Sequence, residues 1–317
     1  MRKILVTGAL GQIGTELVQA LREHYGFDQV IASDIRMTAA SSENGPHELL
    51  DCTELQKISD IVRRYDVGMI FHMAALLSAI AEEKPQIAWD VNMSGLYNVL
   101  EVAREHKCAV FFPSSIGAFG ASTPRDKTPQ ITIQRPNTMY GVTKVAGELL
   151  CDYYAHRFGV DTRGARFPGL ISYMAHPGGG TTDYAVEIFY SAIRYQHYTC
   201  FLEPDTCLDM MYMPDAIRAI IELMNANGAL LEHRNAFNIT AMSFTPEMLA
   251  AEIRKHIPDF IIEYEVDPVR QAIADTWPRS LDDSAAREEW GWQPEYDIET
   301  MTKDMIDRLG ATLKAAR

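Results

Sequence analysis

The sequence lacks any apolar run approaching the roughly 20 residues a membrane-spanning helix needs, so no transmembrane segment is expected in its 317 residues. Met1-Arg2-Lys3 ahead of Ile4-Leu5-Val6 imitates the start of a secretion signal, but the run is short and Gly8 and Gly11 interrupt it at once. It reads as a first strand, and the protein is expected in the cytoplasm. Cysteine is scarce and unpaired: Cys52, Cys108, Cys151, Cys200 and Cys207 are scattered, odd in number and without CxxC spacing. That argues against a disulfide framework and a structural zinc site, and no metal is expected. Basic charge is outnumbered as well. A net charge of −14 repels nucleic acid phosphates and anionic membranes. Repeats and low-complexity linkers are missing too.

What the sequence does have is alternation. Lys3–Thr7 is an apolar run ahead of glycines, Gln12–His24 has helical periodicity, and Gln29–Ser33 is a short run ending at Asp34. A helix over Leu55–Tyr65, a strand over Met69–Met73, a helix over Val91–His106, a strand over Ala109–Pro113 and a long helix over Tyr140–Phe158 follow. Repeated strand–helix units predict an α/β fold, a doubly wound parallel sheet covered on both faces. The second half is less regular. Arg163–Ser172 reads as a strand leaving the sheet, Asp183–Tyr195 as a helix, Phe260–Val266 as a strand and Ile298–Ala316 as a helix, and Thr245-Pro246 opens another helix with a good cap. The expected division is a Rossmann nucleotide-binding domain over 1–168 and a smaller substrate-binding lobe over 169–317, with some segments returning to the first domain.

Gly8-Ala9-Leu10-Gly11-Gln12-Ile13-Gly14 follows the first strand directly and opens a helix. Close approach of backbone to a pyrophosphate needs glycine at the turn and the free amides of a helix N-terminus. Asp34 ends the second strand 20 positions after Gly14, near the spacing expected for a carboxylate on the adenosine ribose. It favours NAD over NADP, since a carboxylate repels a 2′-phosphate. Arg36, two residues on, either faces solvent or partly reverses that preference. Asp51-Cys52 closes an expected third strand, where an adenine would lie; a solvated loop acid is the plainer reading.

Tyr140-Gly141-Val142-Thr143-Lys144 begins a helix, and positions four apart share a face. A phenol with a pKa near 10 must fall by roughly 3 pH units to act as a base at neutral pH, and an adjacent ammonium and an oxidised nicotinamide both favour the phenolate. A surface Tyr and Lys at helical spacing is the bland alternative. Ser114-Ser115 follows Ala109–Pro113 at the end of the sheet where such sites form; either serine holds a substrate oxygen, or the pair merely caps a turn.

The combination of GxxGxxG, a serine pair after the fifth strand and YxxxK resembles the extended short-chain dehydrogenases. His72-Met73-Ala74-Ala75 is similar to that family's fourth-strand motif, Asn92 to its helix asparagine, and Glu289-Trp290-Gly291-Trp292-Gln293-Pro294 to its C-terminal signature. The likeness covers nearly the whole chain. It implies catalysis by Ser115 (or Ser114), Tyr140 and Lys144, with Gly120 downstream favouring Ser115. It implies a cofactor site that adds Gln12, Ile13, Ile35, Met73, Ala74, Ala75, Asn92 and Phe167 to the residues already named. Many members act on nucleotide-sugars, and here the sequence departs: Phe119 stands for their tyrosine, and Arg166-Phe167-Pro168-Gly169-Leu170-Ile171-Ser172 replaces their RxxNxYGP stretch.

"PSSIGAFG", "TMYGVTK", "ISYMAHPGGGTTDYAVEIFY" and "TWPRSLDDS" are instead similar to the family's threonine-oxidising branch. That resemblance implies NAD-dependent oxidation of the L-threonine β-hydroxyl to 2-amino-3-ketobutyrate, with Tyr140 as general base. Thr181 and Thr182, with Gly180, would bind the carboxylate. Asp183 would meet the ammonium or cap its helix, and Ser78 and Trp277 would complete the pocket, though Trp277 also suits a plain core. The Gly178–Gly180 run suggests either a closing loop or an ordinary turn. A homodimer through the helices near Asn92 and Tyr140 comes from the resemblance alone. Two other readings stand: a nucleotide-sugar epimerase or dehydratase, which His176 and Arg194 keep open, and a non-enzymatic NAD sensor, which would need no Tyr–Lys pair.

Overall fold

A computed structural model describes residues 2–36, 45–174 and 180–315. Seven parallel strands form the central sheet in the order β10-β6-β5-β4-β1-β2-β3. The strands are β1 (Lys3–Thr7), β2 (Val30–Asp34), β3 (His47–Leu49), β4 (Val67–His72), β5 (Ala109–Ser115), β6 (Thr162–Phe167) and β10 (Phe237–Asn238). Register pairs Leu5 with Ile31 on one side and with Ile70 on the other. Because both faces are covered, consecutive β1 residues feed opposite cores. Ile4 and Val6 join Leu17, Leu21, Phe71, Phe111 and Phe237. Leu5 joins Ile31, Ile58, Val62, Leu96, Val99, Val110 and Phe112. The sheet is a Rossmann arrangement, and its winding reverses between β1 and β4, where a crevice opens at the carboxyl ends of the strands.

A third core belongs to the smaller lobe. It gathers Ile171, Tyr184, Phe189, Leu208, Met210, Phe244, Leu249, Phe260 and Met305. The framework is a three-stranded sheet of β7 (Gly169–Ile171), β9 (Leu208–Tyr212) and β11 (Met242–Phe244), and a parallel pair of β8 (His197–Cys200) and β12 (Ile261–Tyr264). The continuous strand expected over Arg163–Ser172 is two strands. β6 pairs with β5 as far as Phe167, and after Pro168 the chain enters β7 in the other sheet. Proline has no N–H for a ladder, so the break falls there. The chain then crosses back: the helix Met213–Asn225 packs on the helix Gln12–Tyr25, and β10 extends the central sheet beside β6.

Two helical details place the site. The expected helix over Val91–His106 begins earlier, at Pro85, and passes through a π-helical turn over Asp90–Ser94 before continuing as Gly95–His106. Such a turn inserts one extra residue into the register and often marks functional ground; here it carries the buried Asn92. The long helix runs Met139–Phe158. Thr138 caps it by accepting from the Gly141 N–H at 3.1 Å, and Gly159 at φ 69° ends it.

The C-terminal signature has a packing role. Trp292 is fully buried in the nucleotide-domain core, 5.7 Å from the Trp290 ring and 4.9 Å from the Arg218 guanidinium. Trp292→Ala is expected to cost about 3–5 kcal/mol through the cavity it leaves; denaturant unfolding measures this, and a loss under about 1 kcal/mol refutes it.

Candidate active site

The first turn of the crevice is shaped by what it has no room for. Gly8 has φ +66°, and a Cβ on it would lie 2.6 Å from the Ala74 nitrogen. One on Gly14 would lie 2.2 Å from the Gly8 carbonyl oxygen. The helix Gln12–Tyr25 begins at Gly11 with no side-chain cap, so its first amides point outward as an anion site. This cradle fits the pyrophosphate of NAD. Asp34 is buried at the end of β2; its carboxylate accepts from the Leu10 N–H at 3.0 Å and the Arg36 N–H at 3.1 Å. The Arg36 guanidinium folds back onto Asp34 (3.3 Å) and the Leu10 carbonyl (3.3 Å). It is thus occupied by the acid that it was expected either to ignore or to oppose. Ile35 is exposed beside them.

Other cofactor residues expected from sequence have their side chains committed within the protein. Asp51 accepts from the Thr53 N–H (2.9 Å) and hydroxyl (2.8 Å), closing a turn. The Cys52 thiol is buried, and a Cβ on Gly95 would lie 2.6 Å from its sulfur. Asn92 accepts from the Leu76 N–H at 2.8 Å and donates to the Leu76 carbonyl and the Thr143 hydroxyl, both at 3.1 Å. It therefore ties the segment after β4 to the long helix. His72 Nδ1 meets the Thr7 hydroxyl at 2.9 Å, and burial takes its pKa down to about 3, so it is neutral.

At the carboxyl ends of the central strands lies a cavity of about 140 Å³. It is lined by Gln12, Ile13, Met73, Ala75, Ser78, Ser114, Ser115, Tyr140, Lys144, Phe167, Gly180, Thr181, Thr182, Asp183 and Trp277, all anticipated from sequence. Unanticipated walls are Leu77, Pro113, Ile116 and Pro168–Leu170. No sequence signal marks them, because they are apolar or backbone surface: Pro168–Leu170 come in with the β6–β7 break, and the others with the ends of β4 and β5. A Cβ on Gly169 would meet Thr182 Cγ2 at 2.7 Å, so that glycine sets the depth of the threonine end.

Two serines that sequence left undivided are separated here. The Ser114 hydroxyl is buried and donates to Glu148. Ser115 Oγ accepts from the Gly117 N–H at 3.1 Å and keeps its own proton for another acceptor. It also lies close enough to Tyr140 to lower the phenol. The Tyr140 ring packs over Gly117, where a Cβ would approach ring carbons to 3.2 Å. Lys144 is buried, donates to the Pro113 carbonyl at 2.6 Å, and lies 5.3 Å from the Tyr140 ring centroid. Lys144 was expected to make the phenol acidic. Instead burial pushes Tyr140 up to about 12, offset in part by Ser115, and brings Lys144 down to about 8. The ammonium sits over the ring face and is bonded to a carbonyl, so desolvation outweighs it.

Opposite, the Asp183 carboxylate accepts from the Gly180 N–H at 2.6 Å. It closes the Gly180–Asp183 turn instead of capping the helix Tyr184–Tyr195, whose N-terminus has no side-chain cap. The helix is accordingly one residue shorter than expected. Among the described lining residues Lys144 is the one cation; Arg194 is exposed and stacks on Tyr190. His176, Gly178 and Gly179 lie outside the described residues.

The model of the NAD dependent epimerase/dehydratase family matches residues 4–240. An uncharacterized epimerase/dehydratase of Staphylococcus aureus (strain MRSA252) is 58% identical over 98% of this chain and 97% of its own length. Among solved structures, an L-threonine dehydrogenase from Clostridium difficile is 58% identical with a TM-score of 0.97, covering 98% of both chains. The holo form of a GalE-like L-threonine dehydrogenase from Cupriavidus necator is 51% identical with a TM-score of 0.94, over 97% of this chain and 99% of that one.

The glycine cradle is testable by itself. Gly14→Ala, whose methyl meets backbone, is expected to weaken NAD⁺ binding at least about tenfold, or about 1.4 kcal/mol. Gly310→Ala, with open space around its Cβ, leaves it unchanged. Calorimetric titration decides, and equal affinities in the two variants refute the cradle.

Proposed function

Because the chain belongs to the NAD dependent epimerase/dehydratase family, we propose that it is an NAD-dependent dehydrogenase that oxidises the β-hydroxyl of L-threonine to 2-amino-3-ketobutyrate. The observation that carries this reading is a small cavity with a phenol, a serine hydroxyl and one ammonium at one end, and Thr181, Thr182 and Asp183 at the other. That set suits an amino acid bearing a secondary alcohol. It does not suit a nucleotide-sugar, whose diphosphate calls for arginines or lysines, and among the described lining residues Lys144 is the one cation. The solved relatives named above carry the same activity in their names.

Tyr140 takes the β-hydroxyl proton as general base. Ser115 Oγ donates to the substrate oxygen while the Gly117 N–H holds it in place. Lys144, fixed by the Pro113 carbonyl, would hold the cofactor ribose. Bound NAD⁺ supplies the hydride acceptor and a positive charge beside the phenol. Thr181 and Thr182 bind the substrate carboxylate, Asp183 faces the ammonium, and Ser78 and Trp277 close the walls. Residues 1–168 bind the cofactor and 169–317 the substrate, with the helix Met213–Asn225 and β10 returning to the first unit. No described helix is long and apolar enough to cross a membrane, and five free thiols suit a reducing compartment, the cytoplasm.

The helices flanking Asn92 and Tyr140 expose Ile87, Trp89, Tyr97, Val142, Leu149 and Tyr153. An apolar face of that kind marks an association surface, and we read it as a homodimer contact. Light scattering behind size exclusion is expected to give twice the chain mass, and Leu149→Glu the single mass. A monomeric parent protein removes the dimer.

Mixing the protein with L-threonine and free NAD⁺ is expected to produce NADH continuously. A tightly held cofactor with no net reduction points to an epimerase instead. Tyr140→Phe is expected to lower turnover by about 10²–10⁴-fold with NAD⁺ affinity kept; near-normal turnover refutes the base. Ser115→Ala should cost more turnover than Ser114→Ala.

A further inference from the structure

The helix Met139–Phe158 presents a third ionisable group at the interval of the first two. Glu148 lies four residues beyond Lys144 and eight beyond Tyr140, so the three share a face. Glu148 is 2% exposed, and the chemistry above gives it no step. A buried carboxylate is costly unless paired and bonded, and this one is saturated. Arg166 donates to its two oxygens through Nε at 3.0 Å and Nη2 at 2.8 Å, Gln134 donates at 2.9 Å, and the Ser114 hydroxyl donates as well. Arg166 in turn donates to the Gln130 carbonyl (2.8 Å) and the Asn238 side chain (3.0 Å). Asn238 then donates to the carbonyls of Thr128 and Asp282, the latter on the segment that follows Trp277.

We propose that Glu148 is a positioning residue for the Tyr140–Lys144 pair: locked by Arg166, its carboxylate fixes the Ser114–Ser115 end of β5 and sets one negative charge a helical turn from the Lys144 ammonium, keeping it charged. The proposal rests on the roles given to Tyr140 and Lys144 above. Burial alone works against that ammonium, and the groups opposing the loss of its charge are Glu148 first and Cys151 after it. Among the described residues no other neighbouring element supplies a counter-charge. His72 on β4 is neutral, and β5 carries no ionisable group. Arg166 on β6 is turned to Glu148. Glu82, on the helix Ser78–Glu83, accepts from the Met139 N–H, and Glu101, on Gly95–His106, accepts from the Tyr154 hydroxyl. Asp152, next on the helix itself, accepts from Asn235.

The test follows Lys144 directly, by NMR of protein carrying ¹³C-enriched lysine side chains, with the resonance identified by its loss in Lys144→Met. Glu148→Gln is expected to lower the titration midpoint of Lys144 from about 8 by about one pH unit or more. The alkaline limb of kcat for threonine oxidation should move down with it. An unchanged midpoint overturns the proposal. If Glu148→Gln does not fold, the pair Glu148→Met with Arg166→Met replaces both buried charges by apolar groups; the same fall is expected, and its absence is equally fatal. Ser114→Ala should reduce kcat with the Lys144 midpoint unmoved, and wild-type kcat in that variant removes the β5 half of the proposal. The NMR readings use the protein alone, so a wild-type chain that fails to oxidise threonine would sink the functional reading and leave them standing.

Discussion

The structure turns on how closely the helix Met139–Phe158 lies against β5. Gly147 makes that approach possible: a Cβ there would sit 2.5 Å from the Phe112 ring. With the two elements in contact, Lys144 reaches the Pro113 carbonyl, Ser114 reaches Glu148, and the Tyr140 ring settles over Gly117. Each of these joins a side chain of the helix to backbone or hydroxyl at the carboxyl end of one strand. A shift of the helix by the width of a methyl group would disturb all of them together, because protein interiors do not deform smoothly.

That packing also decides the electrostatics. It buries one cation and one anion on successive turns of the same helix, and the anion is answered from the neighbouring strand by Arg166. The lobe that walls the substrate cavity is attached to this pair through Asn238, whose amide holds segments on both sides of β10. The nucleotide-binding sheet and the substrate lobe therefore meet at a polar, fully bonded seam. Such a seam imposes an orientation that an apolar contact of the same area would leave loose.

Much of this was legible in the sequence, because the features concerned depend on local spacing. β1 and the helix over Leu55–Tyr65 fall where periodicity puts them, and the fifteen cavity residues named from motifs converge on one space. What was not legible depends on direction or on distant chain. For Asn92, Asp51 and Cys52, spacing could not reveal that their side chains are spent on Leu76, Thr53 and the Val91 carbonyl. Ser114 and Ser115 are adjacent in sequence and opposite in a strand, so the Ser114 hydroxyl turns to Glu148 while Ser115 Oγ meets the Gly117 N–H. The helix Met213–Asn225 carries a proline at its start and an apolar stripe, yet its return to the first sheet is a tertiary fact. Glu148 had a signal, the four-residue interval from Lys144, which motif reading stopped short of.

The direction of the Tyr140 shift is the most informative departure from expectation. Reading the pair as phenol plus neighbouring ammonium predicts an acidic phenol, whereas the protein's own groups hold it at about 12. The difference is desolvation: a site closed enough to protect a reaction from water also penalises every charge inside it. Lys144 cannot offset this, since burial erodes its own charge and its ammonium is bonded to a carbonyl. Ionising the phenol then takes a further positive charge beside it, the one NAD⁺ carries and NADH does not. On the roles proposed above, the phenol would be a competent base only with the oxidised cofactor bound beside it. The same burial that looks unfavourable for a base in isolation would then make proton removal depend on the charge of the bound cofactor.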